Sequence, residues 1–527
     1  MASRRDELNA YTFAKKRTIA AFLQPSPVST DEGAPRPLRA VLPSLVVGAL
    51  VAAGFGAFGM FKPQAPAGWS KAKAHVIVGS DSTTRYVVLK TNGKNQLHPV
   101  LNFASAKLLL DPDKAEVIKV SEKELDSGKV PRGSTLGIPY APDRVPDPEE
   151  AGKKKLWAVC EQPGGGGKIV QKGVFLFADR ETKRIENEHR LSGAQALYVE
   201  GPDGARYLVD PGGTAHPIGS TKGEKRSAQD LVLLRSLFEE GAQPQRVTGD
   251  WLGTLHKGTP ITFPRLPAPI GGKAGVDTLP DRLDKVGTVL KANAGSKMHS
   301  YVVLPGKVAA VSELVARLLL NSPDAGTLRQ NGSAEQVGTQ AIGPGLDTFY
   351  GGSGWPQSVP SQANAASSKA SSAPSSSSPA AASADTVCSV LHGLGAKNTP
   401  RLTTWAGPDY PAQMVDGATS AYVTPGTGML YRDFHGVSTK TGSLFLVTDT
   451  GLRYAVQTNG DSSAKKSGIG SNGKRQKPGE QAQNLNDAQI RLGYKDIDPV
   501  PVPDNWSAFL PKGPKLDVSS ALQSQSS

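Results

Sequence analysis

The stretch from Ala40 to Phe61, AVLPSLVVGALVAAGFGAFGMF, runs 22 residues without a charged side chain. A helix rising about 1.5 Å per residue needs roughly 20 apolar residues to cross the hydrocarbon core, so this one is long enough. Arg39 and Lys62 bracket it, where their charged heads reach the two headgroup layers. Pro43 is expected in the first turn, where a missing N–H is harmless. A cleaved signal peptide would start nearer the terminus, whereas here a 39-residue polar head comes first. A buried helix of a soluble core is rarely this free of polar residues on every face. The sequence therefore predicts one membrane-spanning helix. Its Gly48, Ala52 and Gly56, one turn apart, make a small-residue face on which another helix can pack.

The flanks give an orientation. Arg4, Arg5, Lys15, Lys16, Arg17, Arg36 and Arg39 all precede the helix, so the positive-inside rule keeps residues 1–39 in the cytoplasm. No second apolar run of that length occurs, which predicts a single-pass cell-membrane protein with residues 62–527 on the far side. The head reads as a helix ended by Pro25, with Leu8, Tyr11, Phe13, Ile19, Phe22 and Leu23 as apolar positions and Lys15, Lys16 and Arg17 on a polar side. Such a basic amphipathic segment suits the inner leaflet or a partner subunit. The formal charge is +13, and all but about three of those charges lie beyond the helix. That excess suits an anionic envelope surface or an acidic partner, and equally a merely solubilising surface.

Beyond the membrane the chain repeats itself. Three hairpin-like stretches carry an Arg-Tyr step: HVIVGSDSTTRYVVLK (Arg85-Tyr86), ALYVEGPDGARYLVD (Arg206-Tyr207) and LFLVTDTGLRYAVQ (Arg453-Tyr454). Alternating apolar residues around Gly/Asp/Ser turns are the signature of paired, half-buried strands. A helical stretch follows each, and each unit closes on a basic-glycine step: Arg132-Gly133, Lys257-Gly258 and Lys512-Gly513. Trp251 and Trp506 match between two copies. A further, reduced copy, SYVVLPGKVAAVSELVARLLL, has Tyr301 and a helix through Leu320 but no closing turn. Parts recurring in fixed order are a stronger signal than any one of them. The expected units are 72–140, 194–270, 280–350 (reduced) and 441–517. Residues 150–190 and 385–440 form a central β domain, and 357–384 is a Ser/Ala-rich disordered linker that cannot bury a core. The fold class expected is an α+β ectodomain of repeated hairpin-helix units around a central β-rich domain.

Cys160 and Cys388 are the two cysteines, both in short apolar runs outside the membrane. A disulfide is expected there, closing a loop long enough to contribute on the order of 4–5 kcal/mol in the chain-entropy model. The alternative is two unrelated buried thiols.

A search for catalytic chemistry finds little. GIGSNGKR spaces Gly468, Gly470 and Gly473 as GxGxxG and places Lys474 as in a phosphate-binding loop, but Arg475 stands where Mg²⁺ needs a hydroxyl. The loop also lies in a polar stretch rather than between a strand and a helix. Gly468, Gly473 and Lys474 are thus weak nucleotide-binding candidates beside a solvated basic loop. PGGGGK, Gly164 to Lys168, fails because Ile169 follows the lysine. No histidine sits in zinc-ligand spacing with both cysteines, so no metal is expected. His98 and His216 recur in a His-Pro step, read as packing or turn features rather than a catalytic pair. GGSGW around Ser353 lacks the last glycine of a nucleophile elbow. The catalytic residues stay unassigned.

The head RRDELNAYTFAKKR, the single helix at its distance from the start, the Arg-Tyr repeats, two widely spaced cysteines and GPKLD near the end together resemble the EccB family. These are membrane components of actinobacterial type VII (ESX) secretion systems. The likeness covers essentially the whole chain except 357–384. It implies a structural core subunit of a membrane complex that exports small folded helical proteins. EccC-, EccD- and EccE-type subunits and a mycosin protease would be its partners, with homo-oligomerisation through the ectodomain and no nucleic acid. It also implies four repeat domains around a central β-rich one, and maps the family's disulfide onto Cys160 and Cys388. An ATPase label travels with the family, so ATP is a cofactor by resemblance only. Two alternatives to a scaffold stay open, an ATP-hydrolysing component and a module that binds cell-wall polymer.

Overall fold

Among the described residues, four copies of one unit and a fifth, different sheet follow the apolar helix. The computed structural model describes residues 4–23, 38–61, 65–112, 114–164, 170–219, 227–342, 347–364, 385–414, 420–457 and 487–525. In repeat 1, His75–Gly79, Arg85–Thr91 and Lys94–Pro99 run antiparallel, helix Phe103–Leu109 follows, and Glu116–Val120 returns parallel to the first strand. Repeat 2 does the same with Gln195–Glu200, Arg206–Val209, Thr214–Pro217, helix Ala228–Leu237 and Gln245–Arg246. Repeat 3 uses Val289–Ala294, Lys297–Leu304, Lys307–Val311, helix Glu313–Leu320 and Glu335–Gln336. Repeat 4 uses Gly428–Phe434, Leu444–Thr448, Arg453–Ala455, helix Asp487–Arg491 and Val500–Pro503. The spatial order is third, second, first, fourth each time.

Local chemistry sets these elements. Asn92 and Gly93, both with positive φ, turn the chain between Thr91 and Lys94, as a two-residue hairpin requires. Asn102, Ser227 and Ser312 cap the helices of repeats 1, 2 and 3 through side-chain oxygens that accept backbone N–H bonds.

The basic-glycine step has a packing cause. It pairs with the third strand, so that Gly133 N–H donates to Leu97, Gly258 to Ala215 and Gly513 to Arg453. The next residue on that strand is a ring: a Cβ at Gly133 would lie 2.3 Å from His98, at Gly258 2.4 Å from His216, and at Gly513 2.5 Å from Tyr454. Only a residue without Cβ fits. Nδ1 of each histidine is fixed by a carbonyl, Ser134 at 2.9 Å and Thr259 at 3.0 Å. Repeat 3 makes the same backbone pairing through Phe349 N–H to Ala310. There the glycine's place holds Phe349, and the next strand residue is the smaller Val311. Ring and small residue have exchanged strands.

Several boundaries differ from expectation. Repeat 3 is not reduced, because it has all four strands, its helix and a closing segment. Repeat 4 begins at Gly428, not 441, since Gly428–Phe434 is its first strand rather than part of the central domain. Its Arg453-Tyr454 step consequently sits on the third strand, whereas Arg85-Tyr86 and Arg206-Tyr207 sit on the second. The linker's first residues are also structured. Ser361–Gln362 pairs with the first strand of repeat 2, and fully buried Asn364 accepts from Tyr198 N–H at 2.8 Å and donates to its C=O at 3.0 Å.

The fifth sheet is the central one, ordered Pro400–Gly407, Thr386–Leu394, Leu156–Gln162, Gln171–Phe177 and Ala421–Val423. Its side chains alternate. Trp157 and Val159 enter a core shared with repeats 2 and 4, while Ala158 and Cys160 enter a second core on the opposite face. Repeats 1 and 4 share another core, and so do repeats 2 and 3. The result is two lobes, 1 with 4 and 2 with 3, joined across the central sheet.

Two helices precede all this. Arg4–Leu23 buries no side chain, and its faces are not segregated as an amphipathic head requires. Lys15 lies one turn from both Tyr11 and Ile19, and Phe13 points away from them. Leu38–Phe61 is a 24-residue helix that starts early enough to put Pro43 inside it rather than in its first turn. Its described side chains, 41–57, are all exposed, and among the described residues no helix is long and apolar enough to cross a membrane.

Candidate functional site

The structure brings together one pair of the candidate residues. Cys160 and Cys388 are direct cross-strand partners on adjacent antiparallel strands and form a disulfide with Cα atoms 4.0 Å apart. Both are fully buried. Gly48, Ala52 and Gly56 line the exposed helix, and a Cβ at either glycine would meet nothing within 4 Å. Gly468, Gly473 and Lys474 lie outside the described residues. Among the described residues no group of three His, Cys, Asp or Glu side chains is placed to hold a metal.

The densest chemistry lies where repeats 2 and 4 meet the central sheet. Each presents a one-turn helix, Gly249–Leu252 and Asp504–Ser507, that carries a fully buried tryptophan into the shared core. Trp251 Nε1 donates to Val159 O at 3.0 Å. On the repeat 4 side, Trp157 meets Tyr431 edge to face at 5.5 Å. The Tyr431 hydroxyl is 2.9 Å from Ser507 Oγ, to which the buried Arg453 also donates.

Glu161 is a residue of this joint that sequence reasoning missed. The alternation that sends Cys160 to one face sends Glu161 to the face of repeat 2, where it is fully buried. Its carboxylate accepts from Thr248 N–H at 2.8 Å and from the Thr248 hydroxyl. Thr248 in turn caps the helix that holds Trp251. Burial holds the Glu161 carboxyl above the ordinary range, with the Thr248 bonds pulling the other way. The one available signal was a lone carboxylate inside the apolar run LWAVCEQ. Lys172 pairs with Asp250 of repeat 2 at 3.0 Å and lies 5.6 Å from the Phe509 ring of repeat 4. This constellation joins the central sheet to repeats 2 and 4.

The cavity between the central sheet and repeat 4, walled by Trp157, Leu391, Met429 and Val502, holds about 80 Å³. Small-molecule pockets run to roughly 300–1,000 Å³.

Comparison with known proteins follows the same lines. A family model described as type VII secretion system ESX-1, transport TM domain B, matches residues 1–527. A Mycolicibacterium smegmatis protein named ESX-3 secretion system ATPase EccB3 is 27% identical over 439 residues, covering 80% of this chain and 77% of that protein. The Mycobacterium tuberculosis protein of the same name is 26% identical over 553 residues, covering 98% and 89%. Among solved structures, a chain of an intact ESX-5 inner membrane complex matches with TM-score 0.55 at 20% identity over 100% of this chain and 96% of that one. A chain of an EccB3 dimer from an ESX-3 core complex matches with TM-score 0.55 at 22% identity over 85% and 99%. At those identities the two structures speak for the fold.

Proposed function

The chain belongs to the EccB family of type VII secretion components, and from that premise we propose that it is a structural core subunit of an ESX inner-membrane complex. Its apolar helix is the single span, residues 1–39 stay cytoplasmic, and the five-sheet body assembles on the far side. EccC-, EccD- and EccE-type subunits and a mycosin protease are its partners, with further copies of itself.

The observation that carries this reading is that the family match spans residues 1–527, helix and five-sheet body alike. Support comes from the site as well. Glu161, Trp251 and Arg453 bond within the chain to Thr248, Val159 and Ser507, which suits a body of fixed shape. The test is recovery of the full-length protein in mild detergent from cells that carry the secretion genes. Other membrane components of the system are expected with it, and recovery of the chain alone overturns the reading.

The second reading is ATP hydrolysis, favoured by the names of the relatives. Its candidate residues are Gly468, Gly473 and Lys474, and Arg475 occupies the Mg²⁺-binding hydroxyl's place. Nucleotide turnover by the full-length protein that disappears with Lys474→Ala would establish it. Binding of cell-wall polymer rests on net charge alone, and would have to weaken as salt rises.

A further inference from the structure

Among the repeats, repeat 1 shares its buried core with repeat 4 alone. Part of that joint is closed by the segment after repeat 4. Asp517 caps the short helix Val518–Ala521, accepting from Ser520 N–H at 2.8 Å, and this helix packs on Phe103–Leu109 of repeat 1. Ala521 is fully buried there and Leu522 partly so. Ser524 then bridges antiparallel to Leu136, which itself bridges Val100. Gln525 donates from its N–H to Thr135 O at 2.9 Å and from Nε2 to Gly137 O at 3.0 Å. The segment thus lies outermost at the third-strand edge of repeat 1, attached through isolated bridges.

We infer that residues 517–525 are a strap across the joint of repeats 1 and 4, whose release uncovers the helix and sheet edge of repeat 1 while the shared core stays closed. The physical grounds are local. A one-turn helix is marginal on its own, and the rest of the strap hangs on a few bonds at a solvent-facing edge. Such a segment opens at far lower cost than the core. The disulfide sheet lies behind the separate core of repeats 2 and 4, to which no strap residue contributes.

Hydrogen exchange on the full-length protein tests this, beside a chain ending at Leu516 and a Gln525→Pro variant. In the shortened chain, exchange over residues 103–110 and 134–138 should rise at least about tenfold, with a smaller rise in Gln525→Pro. Residues 156–162 and 386–394 should exchange as in the native protein. Unchanged exchange at 103–110 in the shortened chain would overturn the inference. So would loss of protection in the disulfide sheet, since release would then be global unfolding.

Discussion

Glu161 and Glu122 are displaced in opposite directions, each for a reason visible in its contacts. Burial raises the Glu161 carboxyl, so the folded state holds its proton more tightly than the unfolded chain. The resulting penalty is absent below the ordinary carboxylate range and grows as pH rises toward the raised value. Glu161→Gln should therefore gain stability relative to the native protein as pH rises through that window, in thermal midpoints taken across pH. A constant difference would mean the carboxylate is not desolvated. Glu122 accepts from the amides of Ser82 and Asp81, which pull it down to about 2. Its contribution is present above the ordinary range and is lost as pH falls toward about 2. Acid should accordingly loosen the first hairpin of repeat 1 in the native protein, and Glu122→Gln should loosen it already at neutral pH. The glycine steps give a third residue-scale prediction. Gly258→Ala drives a methyl into the His216 ring and should cost about 1–3 kcal/mol. Gly326→Ala meets nothing and should stay within about 0.5 kcal/mol. Thermal unfolding of the two variants separates them.

At the scale of elements, the disulfide and the apolar helix carry the predictions. The bridged cysteines are 228 residues apart, so Cys160→Ser with Cys388→Ser should lose on the order of 5 kcal/mol in the chain-entropy model. A thermal midpoint that reductant does not lower would contradict that. Ala52→Leu with Gly56→Leu should reduce recovery of the complex while membrane insertion stays intact, because Ala52 is exposed and a Cβ at Gly56 meets nothing within 4 Å among the described residues. The Arg-Tyr hairpins, the repeat helices and the cysteine pair were legible because each has a periodic or chemical signature. Thr214–Pro217 and Gln245–Arg246 were not, being too short to show alternation. Repeat 4 was read out of register because Arg453-Tyr454 imitates the second-strand step from the third strand. Glu161 was missed because its meaning depends on Thr248, 87 residues further along the chain. The exchange of Phe349 and Val311 for a glycine and a ring is equally invisible without the pairing of distant strands.

The whole molecule is two lobes of paired repeats held on one disulfide-bridged sheet, with two tryptophans at the joints and a strap across the first lobe. Such a body suits the presentation of surfaces of fixed shape within a membrane complex. As a structural core subunit, it should be required for the complex to exist rather than for a chemical step within it. The direct measurement is the size of the detergent-solubilised ESX membrane complex from cells lacking this chain, compared with cells in which it is restored. The scaffold account predicts that the remaining membrane components run as smaller species without the chain and return to the full assembly with it. An assembly of unchanged size and composition in its absence, apart from the missing mass, would contradict that account.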